Sequence, residues 1–208
     1  MSTLRTAAPV NTFEDTQTCR NLRSACLGEM HTRRTYLEAA HRMQEADLHV
    51  ITHAFVFTAA QEKEHADVFR GLMAAHGGQI IPMTEDAPLL LPHSPMDILR
   101  AMAQAEHDEW DTLYPHFARQ AMEEGYPRIA EAFRRIAETE HIHARRFAQY
   151  LALMADDALF DAPDRTSWLC LPCGQLHTGL AAPEQCAACG CSRGHFIRSS
   201  FYPFVVED

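Results

Sequence analysis

Two Glu-x-x-His motifs, at positions 62–65 and 140–143, combine a carboxylate with an imidazole three residues later. On a helix this spacing turns the chain by about 300°, so both side chains point to the same side. A pair of glutamates at the same spacing occupies positions 106 and 109. Carboxylate and imidazole ligands without thiolate suit iron or manganese. With one more glutamate near the amino terminus, the candidate ligands are Glu29, Glu62, His65, Glu106, Glu109, Glu140 and His143.

Apolar residues surround these candidate ligands at the spacing of a buried helix face. The faces that carry the two motifs read Ile51, Phe55, Thr58, Glu62, His65, Phe69, Leu72 and Ile129, Phe133, Ile136, Glu140, His143, Phe147, Tyr150. The other two faces read Leu22, Cys26, Glu29, Tyr36, Ala40, Met43 and Leu99, Met102, Glu106, Glu109, Leu113. A further Glu-x-x-His at positions 138–141 lies off its face and is interpreted as a solvated pair.

The charge of the five glutamates requires compensation. A single glutamate in a core is explained by a raised pKa or by a hidden arginine partner, but five at one level are not. Ionised carboxylates in a low-dielectric interior cost several kcal/mol each unless they are paired, and Arg33 is the one cation near them on these faces. Two divalent ions nearly balance five carboxylates, so the pattern predicts a dinuclear metal site. Glu109 is the additional carboxylate, interpreted as a ligand rather than as a nearby acceptor.

Four cysteines toward the carboxyl end form two C-x-x-C-G motifs, Cys170 with Cys173 and Cys186 with Cys189. Two such motifs at short spacing are typical of a tetrahedral four-thiolate metal site. Spacing alone favours zinc, which would be structural, over iron, which would be a one-electron redox centre. Cys191 is interpreted as a bystander that could compete as a ligand. Two further cysteines, Cys19 and Cys26, are interpreted as packing thiols.

Four helical stretches, at 18–46, 48–76, 96–123 and 127–154, are needed to position these residues. The second and third are separated by residues 77–95, which include four prolines. Such a segment can span up to about 60 Å, enough to cross the long axis of a bundle. Two helical hairpins joined by one long crossover form the ferritin-like four-helix arrangement, which is favoured over a bundle with short loops throughout. The chain is therefore expected to be mainly α.

Composition divides the chain into four segments. Residues 1–16 are predicted to be an N-terminal extension, 17–154 the bundle, 155–167 an exposed linker and 168–208 a cysteine-rich tail. The tail is too short to build a core without a metal or disulfides. The 28 Asp and Glu against 18 Lys and Arg leave a net charge of −10, which disfavours nucleic acid and membrane surfaces as partners. With no signal peptide or apolar span visible, a cytoplasmic protein is expected.

The combination of bundle and tail resembles the rubrerythrin family over nearly the whole chain. In the bundle the matching segments are 28–29, 61–66, 106–110, 113–115, 136–137, 140–143 and 146–147. In the tail they are Trp168, Cys170, Cys173, Gly174, His177, 182–184, Cys186, Cys189, His195 and Phe196. This resemblance is more specific than either metal motif alone, and it implies a rubredoxin-like domain that holds iron in the four-cysteine site.

The resemblance also implies roles for individual residues. The seven carboxylate and histidine ligands would serve a di-iron centre, in which one iron moves between Glu109 and His65 as the oxidation state changes. Tyr36 and Tyr114 match tyrosines that form hydrogen bonds near the metals. The expected catalytic residues are thus Glu109, His65, Tyr36 and Tyr114.

The implied activity is that of a non-haem peroxidase that reduces hydrogen peroxide to water in oxidative-stress defence. Electrons would pass through the four-cysteine iron from rubredoxin or from a separate NAD(P)H-dependent reductase, since the chain shows no nucleotide-binding glycine motif. A homodimer is expected, in which one chain's tail approaches the other's bundle. Two alternatives are a ferritin-like protein that oxidises and stores iron and a di-iron sensor of oxidants.

Overall fold

Five α-helices account for most of the chain in the computed structural model, which describes residues 12–79 and 89–201. They are α1 (Gln17–Glu45), α2 (His49–Ala75), α3 (Pro95–Asp108), α4 (Tyr114–Glu123) and α5 (Pro127–Ala155). A π-helical turn, Glu109–Leu113, joins α3 to α4 without a break, so the two form one continuous rod. The bundle therefore has four rods, as the four predicted helical stretches required.

Two antiparallel pairs, α1 with α2 and α3–α4 with α5, make up the bundle. A tight turn at Asp47, whose φ is 56°, joins α1 to α2, and Gly125, with φ of 85°, ends α4 before α5. The connection from α2 to α3 is the long crossover, of which positions 80–88 lie outside the described residues. Most of the predicted N-terminal extension, residues 1–11, and the last part of the tail, 202–208, also lie outside them.

Local sequence signals mark the helix starts. The Thr16 hydroxyl accepts a hydrogen bond from the Cys19 backbone N–H at the start of α1. Ser94 caps α3 in the same way through the Asp97 N–H, and Pro95 takes the first helical position, where its missing N–H costs nothing. These caps mark where the first and third rods begin, and with them the height of Glu29 and Glu106 along the bundle.

The apolar core consists of two clusters on either side of the candidate ligands. One cluster contains Leu22, Phe69 and Phe133, and the other contains Met43 and Phe147. Cys19 and Cys26 are buried in the first cluster, as predicted for packing thiols. The polar layer thus lies at mid-height in the bundle, closed above and below by apolar side chains.

One prediction for the third rod is wrong. Leu113 was expected on the buried face, but it is 38% exposed, and Tyr114 is buried in its place at 1%. The π turn adds one residue to the helical repeat, and this rotates every later side chain by about 100° relative to an unbroken α-helix. The periodicity of an unbroken α-helix therefore places the buried face one residue too early after Glu109.

The tail contains a three-stranded antiparallel sheet in the order β2-β1-β3. The strands are β1 (Asp161–Cys170), β2 (Leu176–Ala181) and β3 (Phe196–Arg198). β1 begins at Asp161, inside residues 155–167, the segment that was expected to be a linker. The division of the chain into four segments stays a prediction. Trp168 is fully buried at the centre of a small core with Cys170 and Phe196.

The tail packs on the end of its own bundle where α1 turns into α2. Ile197 of β3 belongs to the apolar cluster around Met43. At Gly194 the backbones come so close that an added Cβ would lie 1.8 Å from the Asp47 carbonyl oxygen. Nearby, the Ser192 hydroxyl donates a hydrogen bond of 2.6 Å to the Asp47 carboxylate. This contact fixes the four-cysteine segment relative to the helices.

Candidate metal centres

Six of the seven candidate ligands in the bundle converge into two overlapping groups. The first group contains Glu29, Glu62, His65 and Glu140, and the second contains Glu62, Glu106, Glu140 and His143. Within each group the ligand atoms lie within 4.8 Å of one another. Glu62 and Glu140 belong to both groups, so they are placed to bridge two ions. The structure therefore brings the four rods together in the pattern of a dinuclear site.

These six side chains are deeply buried. The five other than His65 are at most 1% exposed, and His65 is 8% exposed. Several of their polar atoms have no hydrogen-bond partner, although polar neighbours are close: Glu29 Oε2, Glu62 Oε1, Glu106 Oε2, both carboxylate oxygens of Glu140 and His143 Nδ1. Unpaired buried carboxylate and imidazole atoms cost more free energy than a protein interior tolerates. Two metal ions would satisfy them, so the residues fit the metals that the sequence predicts.

The orientation of His143 is set by a hydrogen bond on its far side. Its Nε2 lies 3.1 Å from Gln61 Oε1, which also accepts a hydrogen bond from the Arg146 guanidinium. Because an amide oxygen only accepts, His143 carries a proton on Nε2. Its Nδ1 then faces Glu140 Oε2 at 2.7 Å and Glu62 Oε1 at 3.0 Å, free to bind metal.

Neither Gln61 nor Arg146 was predicted to support the site, although both lie in segments of the family resemblance. Arg146 also donates to the Thr58 hydroxyl at 2.7 Å, which anchors its guanidinium between α2 and α5. Arg33 was the nearby cation identified from the sequence, and the structure adds Arg146, which donates to Gln61 Oε1 beside His143. The available signal was its spacing, since Arg146 follows His143 by three residues on the same helix.

Protonated histidines compensate the carboxylates when metal is absent. Burial opposes protonation of His65, but contacts with the Glu140 and Glu62 carboxylates outweigh it and raise its pKa to about 9. For His143, burial is outweighed in the same way by Glu106, Glu140 and Glu62, and its pKa rises to about 11. Despite its burial, Glu140 has a pKa lowered to about 2 by His143 and His65. Positive charge, from protons or from metal ions, is thus required between these buried carboxylates.

Two tyrosines hold the outer carboxylates. The Tyr36 hydroxyl donates to Glu106, and the Tyr114 hydroxyl donates to Glu29. Burial, and after it the adjacent carboxylates, raise the pKa of both phenols well above the usual value. Both therefore stay protonated and remain donors at neutral pH. Each tyrosine lies on a rod other than that of its carboxylate, so these bonds tie α1 to the α3–α4 rod twice.

Glu109 lies on the π turn, beside the two groups rather than within either. Its side chain is half-buried, whereas Glu106 one turn earlier is fully buried. Burial, and then the negative charges of Glu140 and Glu62, raise the pKa of Glu109 to about 8. A π turn in the middle of a helix is frequent at functional sites. Here it turns a fifth carboxylate toward the cluster.

The off-face motif at 138–141 is only partly solvated. Glu138 is exposed, as expected. His141 packs against the indole of Trp110 with ring centroids 3.9 Å apart. This contact lies on the outer side of the π turn and explains why His141 is half-buried without joining the metal ligands.

Five cysteine sulfurs come together in the tail. Cys173 Sγ lies 3.4 Å from Cys170 and 3.6 Å from Cys186, and Cys170 lies 3.7 Å from Cys189. The fifth sulfur, of Cys191, lies 3.4 Å from that of Cys170. Tetrahedral ligation at about 2.3 Å places sulfurs about 3.8 Å apart, so these spacings fit a four-thiolate metal.

Glycine geometry and backbone donors complete the two cysteine loops. Gly174 and Gly190, which follow the second cysteine of each motif, both have φ of 75°, a conformation that favours glycine. Backbone N–H groups of Cys189 and Ala188 lower the pKa of the Cys186 thiol to about 6. Donors directed at sulfur stabilise the thiolate that binds metal.

Comparison with known proteins agrees with both sites. A family model described as "Rubrerythrin" matches residues 20–151, and one described as "Rubrerythrin, rubredoxin-like domain" matches residues 168–197. The chain belongs to the rubrerythrin family. It is 35% identical to the rubrerythrin of Porphyromonas gingivalis over 88% of this chain and 90% of the relative. It is also 32% identical to the rubrerythrin of Nitratidesulfovibrio vulgaris, over 90% of this chain and 96% of that relative.

Solved structures show the same architecture. The fully reduced, all-ferrous state of nigerythrin has a TM-score of 0.60 and 27% identity, covering 95% of this chain and 96% of that chain. A bacterioferritin from Desulfovibrio desulfuricans has a TM-score of 0.63 at 20% identity, covering 68% and 82%. The second likeness concerns the fold alone and confirms the ferritin-like bundle.

As a member of the rubrerythrin family, the chain is an iron-dependent oxidoreductase with two metal sites. A di-iron carboxylate site lies in the bundle, and a rubredoxin-like four-cysteine iron site lies in the tail. Iron in the tail agrees with the family resemblance and not with the preference for zinc based on spacing alone. Among residues 12–79 and 89–201, no helix combines the length and apolar character needed to cross a membrane.

Proposed function

We propose that this chain is a non-haem di-iron peroxidase that reduces hydrogen peroxide to water. The observation that carries the proposal is that one chain combines the buried carboxylate and histidine cluster with a four-thiolate site. A one-electron relay is useful for repeated turnover and has no use in storing iron. Reduction of peroxide takes two electrons and two protons, and the bundle irons supply these electrons when bound.

In this proposal the irons would be held by Glu29, Glu62, His65, Glu106, Glu140 and His143, of which Glu62 and Glu140 belong to both groups. Tyr36 and Tyr114 orient the outer carboxylates through their hydroxyl groups. Gln61 keeps the proton of His143 on Nε2, so its Nδ1 always faces the cluster. These side chains fix the site before substrate arrives and limit the reorganisation needed during reaction.

His65 and Glu109 are the side chains proposed to exchange places as ligands. His65 Nδ1 lies within the first group, 2.9 Å from Glu140 Oε1 and 3.1 Å from Glu62 Oε2. Glu109 remains outside on a turn that is not held by regular α-helical bonding. A carboxylate at the edge of the cluster is placed to join it or leave it without disturbing the other ligands.

Electrons are proposed to enter at Cys170, Cys173, Cys186 and Cys189 from rubredoxin or from an NAD(P)H-dependent reductase. Cys173 and Cys189 are exposed and Cys170 and Cys186 are buried, so the iron would lie close to the surface that a donor reaches. We further propose a homodimer in which one tail serves the other bundle.

Steady-state peroxide consumption tests the function. The iron-loaded protein, supplied with rubredoxin, its reductase and NADPH, is expected to consume hydrogen peroxide much faster than dioxygen. A Cys170→Ser variant is the matched control, because it removes the relay while leaving the bundle ligands in place. Equal rates for the two proteins, or many irons taken up per chain without peroxide turnover, would contradict the proposal. The second outcome would favour storage, and a structural change without turnover would favour an oxidant sensor.

A further inference from the structure

Five cysteines, one more than a tetrahedral site needs, surround the metal position in the tail. Cys191 directly follows the second C-x-x-C-G motif. Its sulfur lies 3.4 Å from Cys170 Sγ, the same distance that separates Cys173 Sγ from Cys170 Sγ. Two different thiols therefore lie equally close to one sulfur of the site.

Cys191 completes a second set of four. The sulfurs of Cys170, Cys186, Cys189 and Cys191 all lie within 4.8 Å of one another. Three of these four sulfurs also belong to the set predicted from the motifs, in which Cys173 takes the fourth position. The two sets differ only in Cys173 and Cys191.

The surroundings of the two thiols differ. Cys173 is exposed in the first loop, whereas Cys191 is half-buried and packs beside the small core around Trp168. Oxidants and alkylating reagents reach exposed thiolates first. Loss of Cys173 would leave one of the four ligand positions around the metal open, and the Cys191 thiol already lies beside it.

We propose that Cys191 is an alternate ligand of the tail metal, which replaces Cys173 when that thiolate is lost. Its sulfur already lies 3.4 Å from that of Cys170 and within 4.8 Å of those of Cys186 and Cys189, against a spacing of about 3.8 Å in a tetrahedral site, so a small side-chain adjustment is enough. The shared ligands Cys170, Cys186 and Cys189 hold the metal during this exchange. The site therefore tolerates damage at Cys173, one of its two exposed thiolates, independently of any activity in the bundle.

Four full-length variants test the proposal by metal binding: C173S, C191S, C173S/C191S and C170S. Each is loaded with Co²⁺, whose thiolate charge-transfer absorption reports the number of bound sulfurs. C173S is expected to keep a four-thiolate spectrum and to lose less than about tenfold in affinity, whereas C173S/C191S should lose about a hundredfold or more. C170S, which removes a sulfur common to both sets, should lose the four-thiolate spectrum even though Cys191 is present.

The C191S variant separates ligand loss from misfolding. It is expected to bind Co²⁺ as the unmodified protein does, because Cys173 is then available. Identical spectra and affinities for C173S and C173S/C191S would overturn the proposal. Loss of the four-thiolate spectrum in C191S alone would also overturn it, since Cys191 would then be a permanent ligand rather than an alternate one.

Discussion

Gln61 Oε1 lies 3.1 Å from His143 Nε2 and determines which nitrogen of that histidine faces the metal cluster. The same oxygen accepts from Arg146, which holds the amide in one orientation. Hydrogen bonds of this kind fix the tautomer and direction of a metal-binding histidine. Gln61 and Arg146, which are not metal ligands themselves, thus help to orient the ligand His143.

Replacing Gln61 should therefore weaken iron binding in the bundle. The Gln61→Leu variant removes the acceptor and leaves the His143 N–H unpaired, and we expect the affinity for Fe²⁺ to fall about 10- to 100-fold. Anaerobic titration of the metal-free protein with Fe²⁺ measures this change. Gln149→Ala, an exposed position on α5, is the control and should bind as the unmodified protein does. Unchanged affinity in Gln61→Leu would show that the amide has no supporting role.

Glu109 is expected to affect the rate of peroxide turnover but not the four-cysteine iron of the tail. In Glu109→Ala the π turn loses its carboxylate while the two groups of buried ligands stay complete. Peroxide turnover should fall at least about tenfold, and the absorption of the four-cysteine iron should not change. Glu138→Ala removes an exposed carboxylate from α5 and serves as the control. Equal turnover in the two variants would remove Glu109 from the mechanism.

The metal-free bundle should lose stability as pH rises. In the folded protein the pKa values of His65 and His143 are about 9 and about 11, against an ordinary value of 6.5. That of Glu109 is about 8, against 4.5. A group whose pKa is raised by folding stabilises the protein below its unfolded pKa and ceases to do so as pH passes its folded pKa.

Thermal or urea unfolding at pH 6.5 and pH 9.5 tests this expectation. The metal-free protein should unfold at a lower midpoint at pH 9.5, because the unfolded chain has by then released histidine protons that folded His143 still holds, and because His65 has passed its folded pKa of about 9. The unfolding midpoint of the iron-loaded protein should fall less between the two pH values, since metal replaces the histidine protons when it binds. A midpoint of the metal-free protein that stays constant or rises between the two pH values would contradict the assigned role of the histidines.

Gly194 should be essential for seating the tail on the bundle. A Cβ there would lie 1.8 Å from the Asp47 carbonyl oxygen, so Gly194→Ala must push the two apart at a cost of about 1–3 kcal/mol. Limited proteolysis at residues 155–167 is expected to become faster. Gly71→Ala is the control, because its added Cβ meets nothing within 4 Å and α2 should gain up to about 1 kcal/mol. Equal proteolysis of both variants would mean that the contact does not hold the tail.

Periodicity predicted the rods and the ligand layer well because the faces around Glu62 and Glu140 are long and regular. It failed at Leu113, because no residue type marks a π turn and an α-helical repeat does not continue through one. Spacing also could not place Gln61, whose role depends on α2 lying against α5. Cys191 was interpreted from the sequence as a bystander that could compete as a ligand, and only the folded loop shows its sulfur beside that of Cys170.

Oxidation of the fully reduced protein by peroxide shows whether the four-cysteine iron supplies electrons to the bundle. The iron-loaded protein is reduced anaerobically and mixed with two equivalents of hydrogen peroxide per chain, which can accept more than the three electrons held by its three irons. The reaction is followed through the visible charge-transfer absorption of the four-cysteine iron. We expect rapid return of the oxidised colour, with a much slower return when dioxygen is the oxidant. If peroxide disappears while the colour stays bleached, or if peroxide is not consumed at all, the tail does not feed a peroxidase in the bundle and the proposed function is wrong.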